Sequence, residues 1–307
     1  MTLEHVETFL TVVSYGSITA AADSLFISQS TVSNRIQLLE RELDTKLLIR
    51  NKGHRNIELT PYGEAFLPIA IQWVALWKDT QNLKKLVTIQ TLKIASVDAV
   101  NNYTFSPLFN QHIDQYPDIK LSINTHHSNE IHTLIENYSI DLGFVFSQVR
   151  YPDIISKPIY QELMYLICHI DSDYRNNIHP DELRPEDEIF LPWGQDIQHW
   201  HDQHWDSDRY PLITVNTGSM LQYYLQTPGR WAVAPLSVVQ AICKANPDIT
   251  YYTLQKAPPP RICYQLVHRH PKSSQTNAIH IFEKELQEFI SHSSSIDTFE
   301  PWMLGNA

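Results

Sequence analysis

At 307 residues the chain is long enough for two or three compact units, each with its own core. A net charge of −11 argues against a protein that coats nucleic acid, yet residues 1–88 balance nine Lys and Arg against nine Asp and Glu, so the acidic excess belongs to 89–307. Eight glycines leave few places for a phosphate-cradling loop or a serine elbow, and no run of about 18 apolar residues could span a bilayer.

The amino terminus, with Glu4 and Glu7, does not read as a signal peptide, which predicts a cytoplasmic protein. Residues 17–43 then predict a helix-turn-helix. Ser17 precedes Ile18, Ala20, Ala21, Ala22 and Leu25, and Ser28 precedes Val32, Ile36, Leu39 and Leu43, so each serine can cap a short helix. The alanine run allows the close helix crossing such a motif needs, with the turn near Phe26 and Ile27. On the second helix the apolar period leaves Gln29, Ser30, Thr31, Ser33, Asn34 and Arg35 outward, and these side chains can read base edges, while Ser28 offers the helix end to a phosphate. Leu47, Leu48 and Ile49 predict a buried strand, and Arg50, Lys52, Gly53, His54 and Arg55 a basic turn, or wing, for phosphates or the minor groove.

The stretch SQSTVSNRIQLLERELDTKLLIR followed by LTPYG resembles the N-terminal domain of the LysR-type transcriptional regulators. The usual pattern of that family has glycine where Asp44 stands and commonly phenylalanine where Leu48 stands. Thr60 and Pro61 open a helical pattern to about Val87, along which Phe66, Ile69, Trp73, Leu76, Leu83 and Val87 recur in steps of three and four. That seam predicts pairing of two chains, the alternative being a helix packed on its own domain, and Pro68 should bend it. The resemblance implies a linker-helix dimer.

From Leu92 the pattern alternates strands and helices: LKIASV, SPLFNQHIDQY, IKLSINT, SNEIHTLIENY and DLGFVF predict a parallel sheet with ligands at the strand ends, Val97 with Asp98, Thr125 with His126, and Phe146 with Ser147. A second unit, from about Leu163, should repeat this architecture through LMYLICH, EIFLPW, LITVN, SMLQYYLQ and WAVAPLSVVQAICK, before RICYQLVHR returns as a strand and AIHIFEKELQEFI closes the first unit. Two such lobes around a cleft resemble a periplasmic-binding-protein fold and the LysR-type effector domain. Many family members carry Ser or Thr where Val97 stands. Ser128 with Asn129, and Thr217 with Gly218 and Ser219, begin helices that can hold a polar or anionic ligand or simply be capped.

His199, His201 and His204 lie among Asp196, Asp202 and Asp206, but their spacing suits an aromatic-rich helix better than a metal site. The three cysteines, Cys168, Cys243 and Cys263, sit among apolar neighbours as reduced thiols. The Ser-rich tail reads as partly disordered, with Trp302 docking on a lobe.

The expected architecture is therefore α/β with an N-terminal α-helical winged helix-turn-helix (1–59), a linker helix (60–88) and a two-lobed, periplasmic-binding-protein-like effector domain (89–307). Lobe 1 takes about 89–160 and 265–292, and lobe 2 about 161–264. The expected function is sequence-specific regulation of transcription, without enzymatic activity, cofactor or metal. DNA contacts fall to Ser28, Gln29, Ser30, Thr31, Ser33, Asn34, Arg35, Arg50, Lys52 and Arg55, and effector contacts to Val97, Asp98, Ser128, Phe146, Trp193 and Thr217. Expected partners are double-stranded DNA carrying an inverted repeat, a small-molecule effector, further copies of the chain as homodimer and homotetramer, and RNA polymerase, with no membrane. The alternatives are a small-molecule binding protein without regulatory role and a metal-dependent hydrolase.

Overall fold

The computed structural model describes residues 1–50, 57–81, 90–205 and 210–299, and they form two units, the first built on the amino-terminal part and the second on residues 90–135 and 140–299. In the first unit, α1 (Leu3–Tyr15) is capped by Thr2 and ends on Gly16, whose φ of 63° suits the absence of a side chain. Helix α2 (Ile18–Leu25) starts where Ser17 accepts from the Ala20 amide, and α3 (Gln29–Glu42) where Ser28 accepts from the Thr31 amide at 3.1 Å. Ala21 and Ala22 are buried between helices, next to Val6, Phe9, Val32, Ile36 and Leu39.

A short hairpin follows. Strands β1 (Leu48–Arg50) and β2 (Ile57–Leu59) pair antiparallel, with Leu48 opposite Leu59. Leu47 and Leu48 are buried, but Ile49 is exposed, because alternate residues of a strand face opposite sides and this hairpin has one side covered.

Helix α4 (Pro61–Gln81) begins where the Thr60 hydroxyl accepts from the Gly63 amide at 3.0 Å. Gly63 is required there: a Cβ would lie 2.1 Å from the Leu47 carbonyl oxygen. The helix runs through Pro68 and is two-faced. Phe66, Ala70 and Val74, spaced by four, pack on the core of their own unit, whereas Ile69 and Leu76 of the expected seam are exposed, with Tyr62 and Trp77 also exposed. Of the expected seam, Phe66 lies in and Trp73 packs against the core of their own unit, as the alternative reading has it, and only Ile69 and Leu76 among its described residues are left exposed. Leu83 and Val87 lie outside the described residues.

The second unit holds two lobes. The larger is built on a six-stranded sheet in the order β4 (Ile119–Thr125), β3 (Gln90–Ser96), β5 (Leu142–Val145), β12 (Arg261–His268), β6 (Ile154–Glu162) and β13 (Asp297–Thr298). Helices α5 (Ser106–Gln115), α6 (Ser128–Glu136) and α10 (Thr276–His292) belong to the same lobe. Its core joins Phe105, Phe109, Phe144, Tyr160 and Phe282.

Three corrections to the sequence reading follow from the pairing. The sheet is mixed: β3 is parallel to β4 and β5, but β12 runs antiparallel to both β5 and β6. Strand β12 pairs with β6 along its whole length, so 261–264, read as second lobe, belong to the larger sheet, and so do Gln161 and Glu162. The tail, read as partly disordered, contributes Asp297 and Thr298 as an edge strand on β6 that the sequence reading lacked; Trp302 lies outside the described residues.

In the smaller lobe, β7 (Met164–His169) lies between β10 (Trp231–Pro235) and β11 (Ile249–Tyr252), antiparallel to each. Helix α9 (Leu236–Ala245) links β10 to β11, so the strand-helix-strand alternation is present, but its two strands straddle β7 instead of pairing. A parallel pair, β8 (Ile189–Phe190) and β9 (Ile213–Thr214), and helices α7 (Gln195–His204) and α8 (Gly218–Tyr224) complete this lobe.

Candidate functional site

Helix α3 presents Gln29, Ser30, Asn34 and Gln37 to solvent, with Thr31, Ser33 and Arg35 half-buried. Gln37 was not singled out from sequence, although it falls one turn beyond Ser33 and Asn34 on the same face. Ser28 is occupied by capping, its hydroxyl lying 2.7 Å from that of Ser30 and 2.8 Å from that of Thr31. Arg35 has a partner within its own unit: its Nη2 lies 2.5 Å from Glu4 Oε2 on α1. Phe26, in the turn before α3, has φ 55° and is 95 % exposed.

Behind α3, the buried Glu40 carboxylate accepts from the amides of Leu47 and Leu48 at 3.0 and 3.3 Å and meets Lys46 Nζ at 2.6 Å. It ties the helix to the first strand of the hairpin. Asp44 keeps the left-handed turn with φ 51°, and the Thr45 amide reaches back to the Glu40 carbonyl at 3.0 Å. The Arg50 side chain, Lys52 and Arg55 lie outside the described residues.

In the second unit, a cleft of about 720 Å³ opens at the ends of β3, β4 and β5 and faces the smaller lobe. Val97, Asp98, Ser128, Phe146, Trp193 and Thr217, chosen from sequence on five separate segments, all line it. Its floor is held by Asn101, whose amide donates to Thr125 Oγ1 at 2.9 Å and to the Asn124 carbonyl at 3.1 Å, with Ser96 donating to Asn101 Oδ1. Asp98 Oδ1 accepts from Asn102 at 2.6 Å. Glu130 accepts from the His127 amide at 3.2 Å, and that bond, with His126 beside it, holds its carboxyl below the usual range. Thr217 Oγ1 lies 3.1 Å from Ser219 Oγ, and Trp193 Nε1 donates to the Val233 carbonyl at 2.7 Å.

One lining residue had no signal in the sequence. Arg261, the first residue of β12, is 9 % exposed, and its guanidinium carbon stands 3.6 Å from the centre of the Phe146 ring and 4.9 Å from that of Trp193. Opposite it in register on β6 is the fully buried Glu162, whose carboxyl is raised by burial despite the charge of Arg261 and the hydroxyls of Ser237 and Thr104.

The other candidate chemistry is structural. His201 on α7 bonds Glu188 Oε2 through Nε2 at 2.7 Å, and His204 Nδ1 lies 3.5 Å from Asp181. Among the described residues no group of three or more His, Cys, Asp and Glu is arranged to hold a metal ion, and Asp206 lies outside them. Burial pushes the Cys168 thiol up to about 12 and raises Cys243 and Cys263, which disfavours the reactive thiolate.

Comparison with known proteins gives this arrangement a context. Residues 3–64 match the family described as bacterial regulatory helix-turn-helix protein, lysR family, and residues 88–290 match the LysR substrate binding domain. The chain belongs to the LysR family. A curated relative, the HTH-type transcriptional regulator YofA of Bacillus velezensis, is 34 % identical over 163 residues, about half of either chain at 52 % of this one and 55 % of that one. Among solved structures, a full-length OxyR variant of Pseudomonas aeruginosa aligns over 98 % of this chain and 99 % of its own at 19 % identity and a TM-score of 0.64. Full-length CbnR complexed with its target DNA aligns over 94 % and 100 % at 20 % identity and a TM-score of 0.62. These two likenesses carry the LysR-type fold. Among the described residues, no helix is long and apolar enough to cross a membrane.

Proposed function

We propose that this LysR-family chain is a transcriptional regulator that reads double-stranded DNA with α3, senses a small molecule in the cleft of its second unit, and catalyses no reaction. The observation that carries the reading is the exposed face of Gln29, Ser30 and Asn34 on a capped helix whose opposite face is buried. Gln and Asn can pair bidentately with adenine, and the helix amino terminus favours phosphate. The relative CbnR is described in complex with its target DNA, which supports the same use of α3 here. Arg35 would exchange Glu4 for a base or phosphate on docking, and Arg50, Lys52 and Arg55 would add backbone contacts. Val97, Asp98, Ser128, Phe146, Trp193 and Thr217 would hold the effector. The nearby His126 is turned to Glu130, at 3.3 Å, and not to the Ser128 hydroxyl, which does not favour an activated serine in the cleft.

Residues 1–88 carry no net charge, so affinity would rest on two copies acting together, paired through α4 and reading an inverted repeat. Assembly of two dimers into a tetramer, contact with RNA polymerase and work in the cytoplasm belong to the same reading. The test is selection from a random duplex library at low salt, with Asn34→Ala alongside. Enrichment of an inverted repeat whose sequence relaxes in the variant is expected. Enrichment of no sequence by the unaltered protein would overturn the DNA-reading role.

A further inference from the structure

We propose that the cleft is built for an organic monoanion with a flat apolar body, a carboxylate above all, and that Arg261 selects it. The inference rests on the reading of this cleft as the effector site and adds the chemistry of what enters.

Arg261 is a nine-tenths buried cation in the cleft wall whose Nε and Nη1 make no hydrogen bond. The arginines engaged in ion pairs among the described residues are Arg35, Arg175 and Arg184. Arg261 is not one of them: even Glu162, its register neighbour, forms no ion pair with it, and burial weakens Glu162 as a counter-charge. A guanidinium left in that state is poorly compensated, and a carboxylate from solution would supply the planar partner its donor fork suits. Phe146 and Trp193 hold the guanidinium plane, so the anion is bound in a defined orientation.

The remaining lining defines the rest of the ligand. Asp98 and Glu130 are the acidic groups there, so a second negative charge would be repelled. Phe146 and Trp193, joined by Val97 and Leu191, give the body of the molecule an apolar surface. Arg261 touches Phe146 of the larger lobe and Trp193 of the smaller, so an anion seated on it engages both lobes at once.

The probes are phenylacetate and its neutral isostere phenylacetamide, added to the full chain up to about 10 mM, a range in which fragment-sized ligands register. Binding is read by thermal shift and tryptophan fluorescence. Phenylacetate is expected to stabilise the protein and change its fluorescence, with phenylacetamide at least about tenfold weaker. Arg261→Gln should abolish that preference. Because this variant leaves Glu162 buried without its neighbour, Arg261→Gln combined with Glu162→Gln serves as the folded control and should behave alike.

Equal binding of the two probes, or an unchanged preference in the double variant, would overturn the role of Arg261 while leaving the cleft as a ligand site. Phenylacetate binding of unchanged affinity and unchanged fluorescence response in Thr217→Trp, which places an indole in the cleft wall, would overturn the placing of the ligand in the cleft itself. No response to phenylacetate in the unaltered protein would overturn the proposal of an anion site and leave the DNA-reading test untouched.

Discussion

Asp44 stands in a left-handed turn at a position where the family pattern has glycine. Its φ of 51° is the left-handed conformation in which a side chain is penalised, and aspartate tolerates it better than most residues. Asp44→Gly should therefore stabilise the first unit in urea by about 0.5 kcal/mol, the relief of strain exceeding the entropy a glycine adds to the unfolded chain. Asp44→Ala should destabilise it. A glycine variant no more stable than the parent would show that the strain at Asp44 does not exceed that entropy cost. At this scale the sequence was legible wherever a residue acts through its immediate neighbours, as with the Ser17 and Ser28 caps. It was silent where partners are distant. Glu40 looks like any solvent-facing helix glutamate until the Leu47 and Leu48 amides fold back onto it, and Arg261 has no meaning without Phe146 and Trp193 from other segments. Asn101 belongs with them, because its use depends on β3 and β4 lying side by side.

At the scale of elements, helices with one apolar face were readable, and α4 was difficult because it has two. Its period of four through Phe66, Ala70 and Val74 serves the fold, while Ile69 and Leu76 are left for another surface. The two faces separate by experiment. Replacing Ile69 and Leu76 together by Asp should dissociate the protein in sedimentation, leaving its stability, extrapolated to equal protomer concentration, within about 0.5 kcal/mol of the parent. Ala70→Asp should instead unfold the first unit, since it buries a charge without a partner. An Ile69 and Leu76 variant that sediments as the parent does would remove α4 as the pairing helix. Strands β6, β11 and β13 were not read from the sequence, and for β6 there is a specific cause. Pro158 lacks a donor and argues against a strand, yet the irregularity between Cys263 and Tyr264 on β12 falls opposite it, and β13 covers only Tyr160 and Gln161. The helix over 195–204 was readable from its aromatic and histidine content, and its pairing with Glu188 was not.

For the molecule as a whole, fifteen histidines suggest pH sensitivity without naming a residue, and the structure singles out His201. Burial disfavours its charged form, but the hydrogen bond and charge of Glu188, aided by Asp202, leave its pKa above the ordinary value of 6.5. Glu188 is raised as well, by burial more than His201 offsets. A raised folded value means stability that is full below the unfolded value and is lost as pH climbs through the folded one. The second unit should lose thermal stability as pH rises above about 6.5, the ordinary histidine value, and His201→Gln should flatten that slope. His268, lowered by burial, acts in the opposite sense on acidification, so the variant is needed to isolate His201. A slope unchanged in His201→Gln would assign the dependence to other groups. The place of β12 has a consequence for how the chain is made. Because it lies between β5 and β6, the larger sheet has a gap at its centre until residue 268 has left the ribosome, by which time every residue of the smaller lobe has already emerged. A nascent chain stalled short of that strand would show two apposed sheet edges with no strand to join them, and the open seam, more than either finished lobe, is where a chaperone or a second nascent chain would find purchase.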